Sequence, residues 1–250
     1  MMSPSEKAKY ISNWIKSYVD QMPKKAESLV IGISGGIDSS VSSTLSAMTG
    51  LKTIVLSMPI KQRENQHDLS LKHQKWLVEK FKNVEAHTIS LDNLFNSFSS
   101  TLNKFDNEHG FANSRARLRM TTLYQVAAAN KGIVVGTGNK VEDFGVGFYT
   151  KYGDGGVDIS PIADCNKSEV WELGKELGIL KEIIDAPPTD GLWDDGRTDE
   201  RQLGFKYEDL EDAMINPDSP HKADTKNQKQ NLHKMEPIPV CKIPVIIRLT

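Results

Sequence analysis

The sequence predicts an α/β protein built on an open parallel sheet with helices on both faces. Three observations carry that prediction. Short apolar runs alternate with segments of helical period from Ser28 to Val135, the order that builds strand–helix–strand units. The runs are unbroken rather than alternating, as strands covered on both faces are. The first run leads through a Gly/Ser-rich turn into a helix, an arrangement suited to holding an anion.

The elements follow in order. Residues 5–21 set Tyr10, Ile11, Trp14, Ile15 and Tyr18 at helical spacing, with Ser3 or Ser5 as the N-cap. Ser28 to Ile33 reads as a buried strand, Val41 to Met48 as a helix stopped at Gly50, and Thr53 to Ser57 as a second strand. Asn65 to Phe81 is a helix and Val84 to Ile89 a third strand; helical segments fill much of 91–102 and 112–130, and Ile133 to Val135 is a fourth strand. Asn166-Lys167-Ser168-Glu169 has the pattern of a helix cap leading into Val170–Leu177. After Pro187-Pro188 the chain turns polar, and 194–235 reads as a peripheral, partly mobile helical region with Leu210 and Met214 as sparse apolar points. Neither a repeat nor a linker divides the 250 residues, a length that fits a single α/β domain.

Composition narrows the function classes. A formal net charge of -2 argues against a general nucleic-acid surface. Cys165 and Cys241 belong to no CxxC or Cys/His array, which argues against a zinc site. The N-terminus MMSPSEKAKYISNWIKSYVD has no apolar core of a signal peptide, and no segment has the apolar length of a membrane span. A reducing cytoplasm is the expected compartment.

The turn after the first strand carries the chemistry. In Gly32-Ile33-Ser34-Gly35-Gly36-Ile37-Asp38-Ser39, glycines let backbone N–H groups curl around an anion, and the following helix points its positive end at it. Ser34, Ser39 and Ser40 can add hydroxyl donors. Asp38 would repel a phosphate, a conflict that Mg²⁺ bridging the carboxylate and phosphate oxygens resolves. The spacing is neither a Walker A nor a GxGxxG pattern. As a bare turn it could also be a helix cap with Asp38 complementing the dipole.

This loop resembles the pyrophosphate loop of the N-type ATP pyrophosphatases. Three further blocks are similar to the ammonia-dependent NAD synthetases within that group: Ala116-Arg117-Leu118-Arg119-Met120, Gly136-Thr137-Gly138-Asn139-Lys140-Val141-Glu142-Asp143, and Phe148-Tyr149-Thr150-Lys151-Tyr152-Gly153-Asp154-Gly155-Gly156-Val157-Asp158. Pro188-Thr189-Asp190-Gly191-Leu192-Trp193 and His233-Lys234-Met235 continue the likeness in the same order. The resemblance implies an adenine nucleotide alpha-hydrolase-like, Rossmann-like fold without a glutaminase domain. It implies ATP-dependent amidation of nicotinic acid adenine dinucleotide by ammonia through an acyl-adenylate, with AMP and pyrophosphate as products, and a homodimer acting on small molecules rather than on nucleic acid or membrane.

It also implies roles. Residues Gly32 to Ser39, Thr137, Lys167 and Thr189 would contact ATP; Arg117, Lys151, Asp158, His233 and Lys234 would contact the dinucleotide; Asp38 and Glu142 would hold Mg²⁺. Asp38, Lys167 and Asp154 would be catalytic, Asp154 orienting ammonia with Asp143 and Asp190 as competitors. The chemistry needs these types. Two polyanions meet in one site and require cations, and a guanidinium such as Arg117 suits a two-pronged grip on an anion. Two carboxylates, phosphate oxygens and water complete an octahedral Mg²⁺ shell. A lysine in the first turn of a helix is badly placed for the dipole, so a nearby anion would explain Lys167.

Two positions depart from the family pattern. Ala186-Pro187 stands where relatives often carry a lysine, and Cys165 where the residue is commonly aliphatic. Two rival readings are another AMP-forming or tRNA-modifying enzyme of the same loop group and a non-catalytic nucleotide sensor. The acidic balance and the unpaired cysteines weigh against the first, and the retained Glu142 and Lys151–Asp158 block against the second.

Overall fold

The computed structural model describes residues 2–61, 64–189, 198–216 and 218–222. Its centre is a four-stranded sheet of β1 (Ser28–Gly32), β2 (Lys52–Ser57), β3 (Val84–Thr88) and β4 (Gly132–Val135) in the order β3-β2-β1-β4. All pairings are parallel, with Val30 opposite Ile54 on one side and Val134 on the other. This is the predicted architecture.

Alternate residues of each strand serve the two faces. Leu29, Ile31, Val55, Ile133 and Val135 pack on one side with α1 (Pro4–Gln21), α2 (Ile37–Met48) and α6 (Lys167–Leu177). Val30, Ile54, Leu56 and Val134 pack on the other with α4 (Asp92–Thr101) and α5 (Glu108–Ala129). In α5, Leu118, Tyr124 and Val126 lean on this second cluster while staying partly exposed. Between β2 and β3 runs α3 (Glu64–Lys80).

The helix ends follow local chemistry. Ser3 caps α1, reciprocated by Glu6, with Pro4 in the first turn. Helix α2 begins at Ile37, four residues before the predicted start. Asp38 and the serines after it score poorly as helix formers, but a first turn favours an acid and tolerates serine. Asn107 caps α5 through the Gly110 N–H, at 2.7 Å, which extends that helix upstream of residue 112. Asn166 and Glu169 form the predicted capping box of α6.

The chain order places the site. From β1 the chain moves outward through β2 and β3, then returns to lay β4 against the other side of β1. The loops leaving β1 and β4 therefore diverge at a topological switch point, where open α/β sheets leave a crevice. Beyond β4, Val135 bridges Ile159, and the Asp158 carboxylate accepts the Val134 N–H at 2.7 Å. Part of the stretch read as a peripheral region forms α8 (Asp199–Leu203) and α9 (Tyr207–Ile215) after the short α7 (Lys181–Ile184). These helices bury Leu203, Tyr207 and Leu210 against Val141 and Val146. Residues 194–197, 217 and 223–235 of that stretch lie outside the described residues.

A polar layer joins α2 to α3. His73 is fully buried, stacks on Trp76 and meets the Ser43 hydroxyl at 3.0 Å through Nε2. Burial pushes its pKa down to about 4. The unfolded chain then binds the proton more readily, so stability is retained above about pH 6.5 and falls as pH drops toward 4. This group alone should cost about 2 kcal/mol between pH 7.5 and pH 5. Urea unfolding at the two pH values should show that loss, and His73→Gln should reduce it.

Candidate functional site

The loop after β1 is braced by its own hydroxyls. Gly35 has φ of 91°, a left-handed turn that suits glycine. Ser39 Oγ accepts the Ser34 N–H at 3.2 Å and donates to the Gly36 carbonyl at 3.1 Å, while Ser34 Oγ accepts the Gly36 N–H at 3.2 Å. Ser40 Oγ donates to the same carbonyl at 2.9 Å. In this state the predicted hydroxyl donors shape the loop. The N-terminus of α2 follows directly, with Asp38 in its first turn, where the helix dipole favours a carboxylate.

Across the switch point, Thr137 to Asn139 leads into a π-helix, Val141–Val146. Asn139 is fully buried. Its Oδ1 accepts the N–H groups of Val141 at 3.0 Å and Glu142 at 3.1 Å, and its Nδ2 donates to Asp38 Oδ1 at 3.1 Å. One amide thus starts the π-helix and ties it to the loop of β1. Gly138 admits Asp143 so closely that a Cβ there would collide with its carboxylate.

Lys167, first residue of α6, closes the arrangement. Its side chain is 1% exposed, and Nζ lies 2.6 Å from Asp38 Oδ2 and 2.9 Å from Glu142 Oε1. These are the anions that its position in the helix called for. Burial pulls the Lys167 ammonium down, but Asp38 and Glu142 together outweigh it and hold its pKa above the ordinary lysine value. Burial raises Asp38 despite Lys167. Glu142 ends below its usual value: burial opposes ionisation, but Lys167 and the Tyr207 hydroxyl, at 2.6 Å, stabilise the charged form. The Tyr207 phenol is pushed far up by burial and by Glu142, so it remains a donor.

A cavity of about 300 Å³ opens above this cluster. Gly32, Ile33, Ser34, Asp38 and Ser39 line one wall, and Thr137, Glu142, Asp154 and Thr189 line others. Gly35, Gly36 and Ile37 form the turn and first helical residue beside it. Asp154 Oδ1 accepts the Thr150 N–H at 2.9 Å, which fixes it within its turn. Asp143 also faces the cavity, and burial, followed by the charges of Asp154 and Glu142, raises its carboxyl well above the usual range. A cavity bearing several carboxylates and a Gly/Ser anion loop suits a cation bound between protein and phosphate. Among the described residues no group of three or more His, Cys, Asp or Glu is arranged to hold a metal. Asp38 and Glu142, already converging on one ammonium, fit a hard cation that completes its shell with phosphate and water.

Arg117, Lys151 and Asp158 are not among the described residues that line the cavity. Arg117 Nε donates to the Lys151 carbonyl at 3.1 Å, and Lys151 Nζ lies 5.0 Å from the Tyr152 ring centroid. The Asp158 carboxylate accepts from Val134 and from the Tyr124 hydroxyl, at 3.1 Å. His233 and Lys234, like the competitor Asp190, lie outside the described residues. Sequence reasoning assigned no role to Asn139, Tyr207, Asp199 or Gln202, although Asp199 and Gln202 line the cavity. Asn139 sits in a quoted block, but the polar stretch around Tyr207 gives no signal of burial.

Removing Lys167 would leave two buried carboxylates facing each other. Lys167→Met should destabilise the metal-free protein by about 3–5 kcal/mol. Neutralising the anions as well, with Asp38→Asn and Glu142→Gln, should recover a large part of that loss, a non-additivity that urea unfolding of the variants would measure.

Comparison with known proteins points the same way. The NAD synthase family profile matches residues 7–246. An NH(3)-dependent NAD(+) synthetase of Carboxydothermus hydrogenoformans is 36% identical over 216 residues, covering 84% of this chain and 85% of the relative. An NMN synthetase of Francisella tularensis superposes with a TM-score of 0.84 at 33% identity, covering 96% of this chain and 99% of the other. The NH3-dependent NAD synthetase of Campylobacter jejuni gives a TM-score of 0.74 at 25% identity, with coverages of 96% and 99%. With the profile spanning nearly the whole sequence and the fold shared along it, the chain belongs to the NAD synthase family.

Proposed function

We propose that this chain amidates the carboxylate of nicotinic acid adenine dinucleotide with ammonia at the expense of ATP, giving NAD, AMP and pyrophosphate. The observation that carries the reading is the meeting of Asp38, Glu142 and Lys167 beside the anion loop, at the floor of one cavity.

The residues divide the work by position. The loop from Ser34 to Ser39 and the N-terminus of α2 would take the β- and γ-phosphates, and Thr137 and Thr189, which also line the cavity, would add contacts to ATP. Asp38 and Glu142 would hold Mg²⁺, which supplies charge neutralisation on the phosphates when bound. Lys167 turns from the carboxylates toward phosphate as charge builds there. The substrate carboxylate attacks the α-phosphorus, the bond to the bridging oxygen breaks, and pyrophosphate leaves into the loop. Asp154 then accepts a proton from ammonium, ammonia attacks the acyl carbon, the adduct nitrogen releases a proton to solvent, and AMP departs with the bond electrons. Arg117, Lys151, Asp158, His233 and Lys234 are assigned to the dinucleotide. The same reading carries a cytoplasmic homodimer, with the long helical segment 112–130 as the candidate pairing surface.

One observation favours a second reading of the acceptor. The likeness to the Francisella tularensis NMN synthetase runs along almost the whole chain. On that reading the same site amidates nicotinic acid mononucleotide, and no second nucleotide is needed.

A direct assay tests both. Purified protein with ATP, Mg²⁺ and ammonium should convert nicotinic acid adenine dinucleotide to NAD with AMP formed in equal amount; ADP as product would overturn the class. A higher kcat/KM for the mononucleotide would select the second reading. Glutamine in place of ammonium should give no product. Asp154→Asn should slow amide formation by about 10²–10⁴-fold while leaving pyrophosphate release largely intact. Equal loss of both half-reactions would remove Asp154 from the ammonia step.

A further inference from the structure

The stretch after Pro188 contributes a residue to the centre of the site. Tyr207 opens α9 and is 2% exposed, in a part of the chain whose composition is otherwise polar. Its hydroxyl donates to Glu142 Oε1 at 2.6 Å, the oxygen that Lys167 also reaches. Its ring lies edge-on to Trp171 of α6, with centroids 5.9 Å apart, and the Lys167 ammonium sits 4.8 Å from its centroid. The phenol therefore touches both the carboxylate and the cation that pairs with it.

Helix α9 is gripped at the elements that carry those two groups. Glu211 accepts the Ser168 N–H at 2.8 Å and the Ser168 hydroxyl at 2.6 Å, one residue along α6 from Lys167. Met214 packs so close to Gly145 of the π-helix that a side chain there would collide with its sulfur. Leu203 and Leu210 bury with Val141 and Val146 on either side of Glu142. The Tyr207 N–H is in turn held by Glu200 of α8, at 3.2 Å.

We propose that Tyr207 is a positioning residue for Glu142, and that α9, together with α8, which lines the cavity through Asp199 and Gln202, forms a support whose docking sets the angle at which Glu142 meets its cation. Two donors converging on one oxygen fix the rotation of the carboxylate. Partners of this kind around a metal-binding carboxylate commonly change metal affinity or activity by about 10–100-fold when removed. The proposal rests on the reading of Glu142 as a metal ligand.

The test is Tyr207→Phe, which keeps the ring and removes the donor. Mn²⁺ serves as a spectroscopic probe, with binding followed by electron paramagnetic resonance in the presence of ATP. Affinity should fall about 10–100-fold. The Mg²⁺ concentration for half-maximal velocity should rise in parallel, and excess Mg²⁺ should restore kcat. The KM for the pyridine nucleotide should stay within about twofold of wild type if the effect acts through Glu142 alone. An unchanged Mn²⁺ affinity, or a general loss of stability and activity without a selective shift in metal dependence, would overturn the proposal. Glu142→Gln separates the two levels. If it leaves Mn²⁺ binding intact, the metal reading itself fails; if it weakens binding and Tyr207→Phe does not, only the role of Tyr207 fails. Should Tyr207→Phe not fold, Glu211→Ala, which removes both contacts of α9 with Ser168, decides by the same Mn²⁺ measurement: a weakened affinity supports the proposal and an unchanged one overturns it.

Discussion

A buried ammonium shared by two carboxylates is costly to assemble and more costly to leave incomplete. Lys167, Asp38 and Glu142 come from three separate segments: the first turn of α6, the first turn of α2 and the π-helix after β4. None of the three charges is comfortable without the others. Lys167 faces the positive end of its own helix, and the carboxylates lie in a half-closed cavity together with Asp143 and Asp154. The segments must therefore arrive together. Asn139 enforces this by holding both the π-helix start and Asp38 with one side chain.

The parallel sheet makes the meeting possible. Strands β1 and β4 are far apart in sequence but adjacent in the sheet, and their following loops diverge at the switch point. Asp38 rides on a regular helix, whereas Glu142 rides on a π-helix, a wider turn that recurs at functional sites. The outer contacts of α9 then hold that wider turn from the far side.

The sequence carried the sheet clearly, because its strands are short apolar runs and the N-caps of α1 and α6 stand in it openly. Asn166 and Glu169 cap α6 as their spacing indicated. The start of α2 was hidden because Asp38 and its serines resemble loop residues, and only the dipole makes them good first-turn residues. The cluster was legible in part. Resemblance nominated Asp38, Glu142 and Lys167, and the misplaced charge at the start of α6 gave Lys167 a physical reason. Tyr207 was illegible because burial of one aromatic within a polar stretch depends on which distant surface receives it, a long-range fact with no local period. Asn139 was seen within a motif, but its role depends on a partner brought near only by the sheet.

The Asp158 side chain has a consequence beyond the site. Its carboxylate takes the Val134 N–H, and the following backbone bridges Val135, so the flank of β4 has no run of open ladder groups at that point. The opposite flank, β3, carries Glu85 and His87, exposed and paired with each other, and Lys52 of β2 reaches the same glutamate. One border is sealed by a side chain that imitates a strand, and the other is guarded by charge. A parallel sheet assembles slowly from distant segments, and during that interval an open border invites strands from other molecules. Among the described residues, both borders of the folded sheet thus carry features that discourage pairing with strands of other molecules.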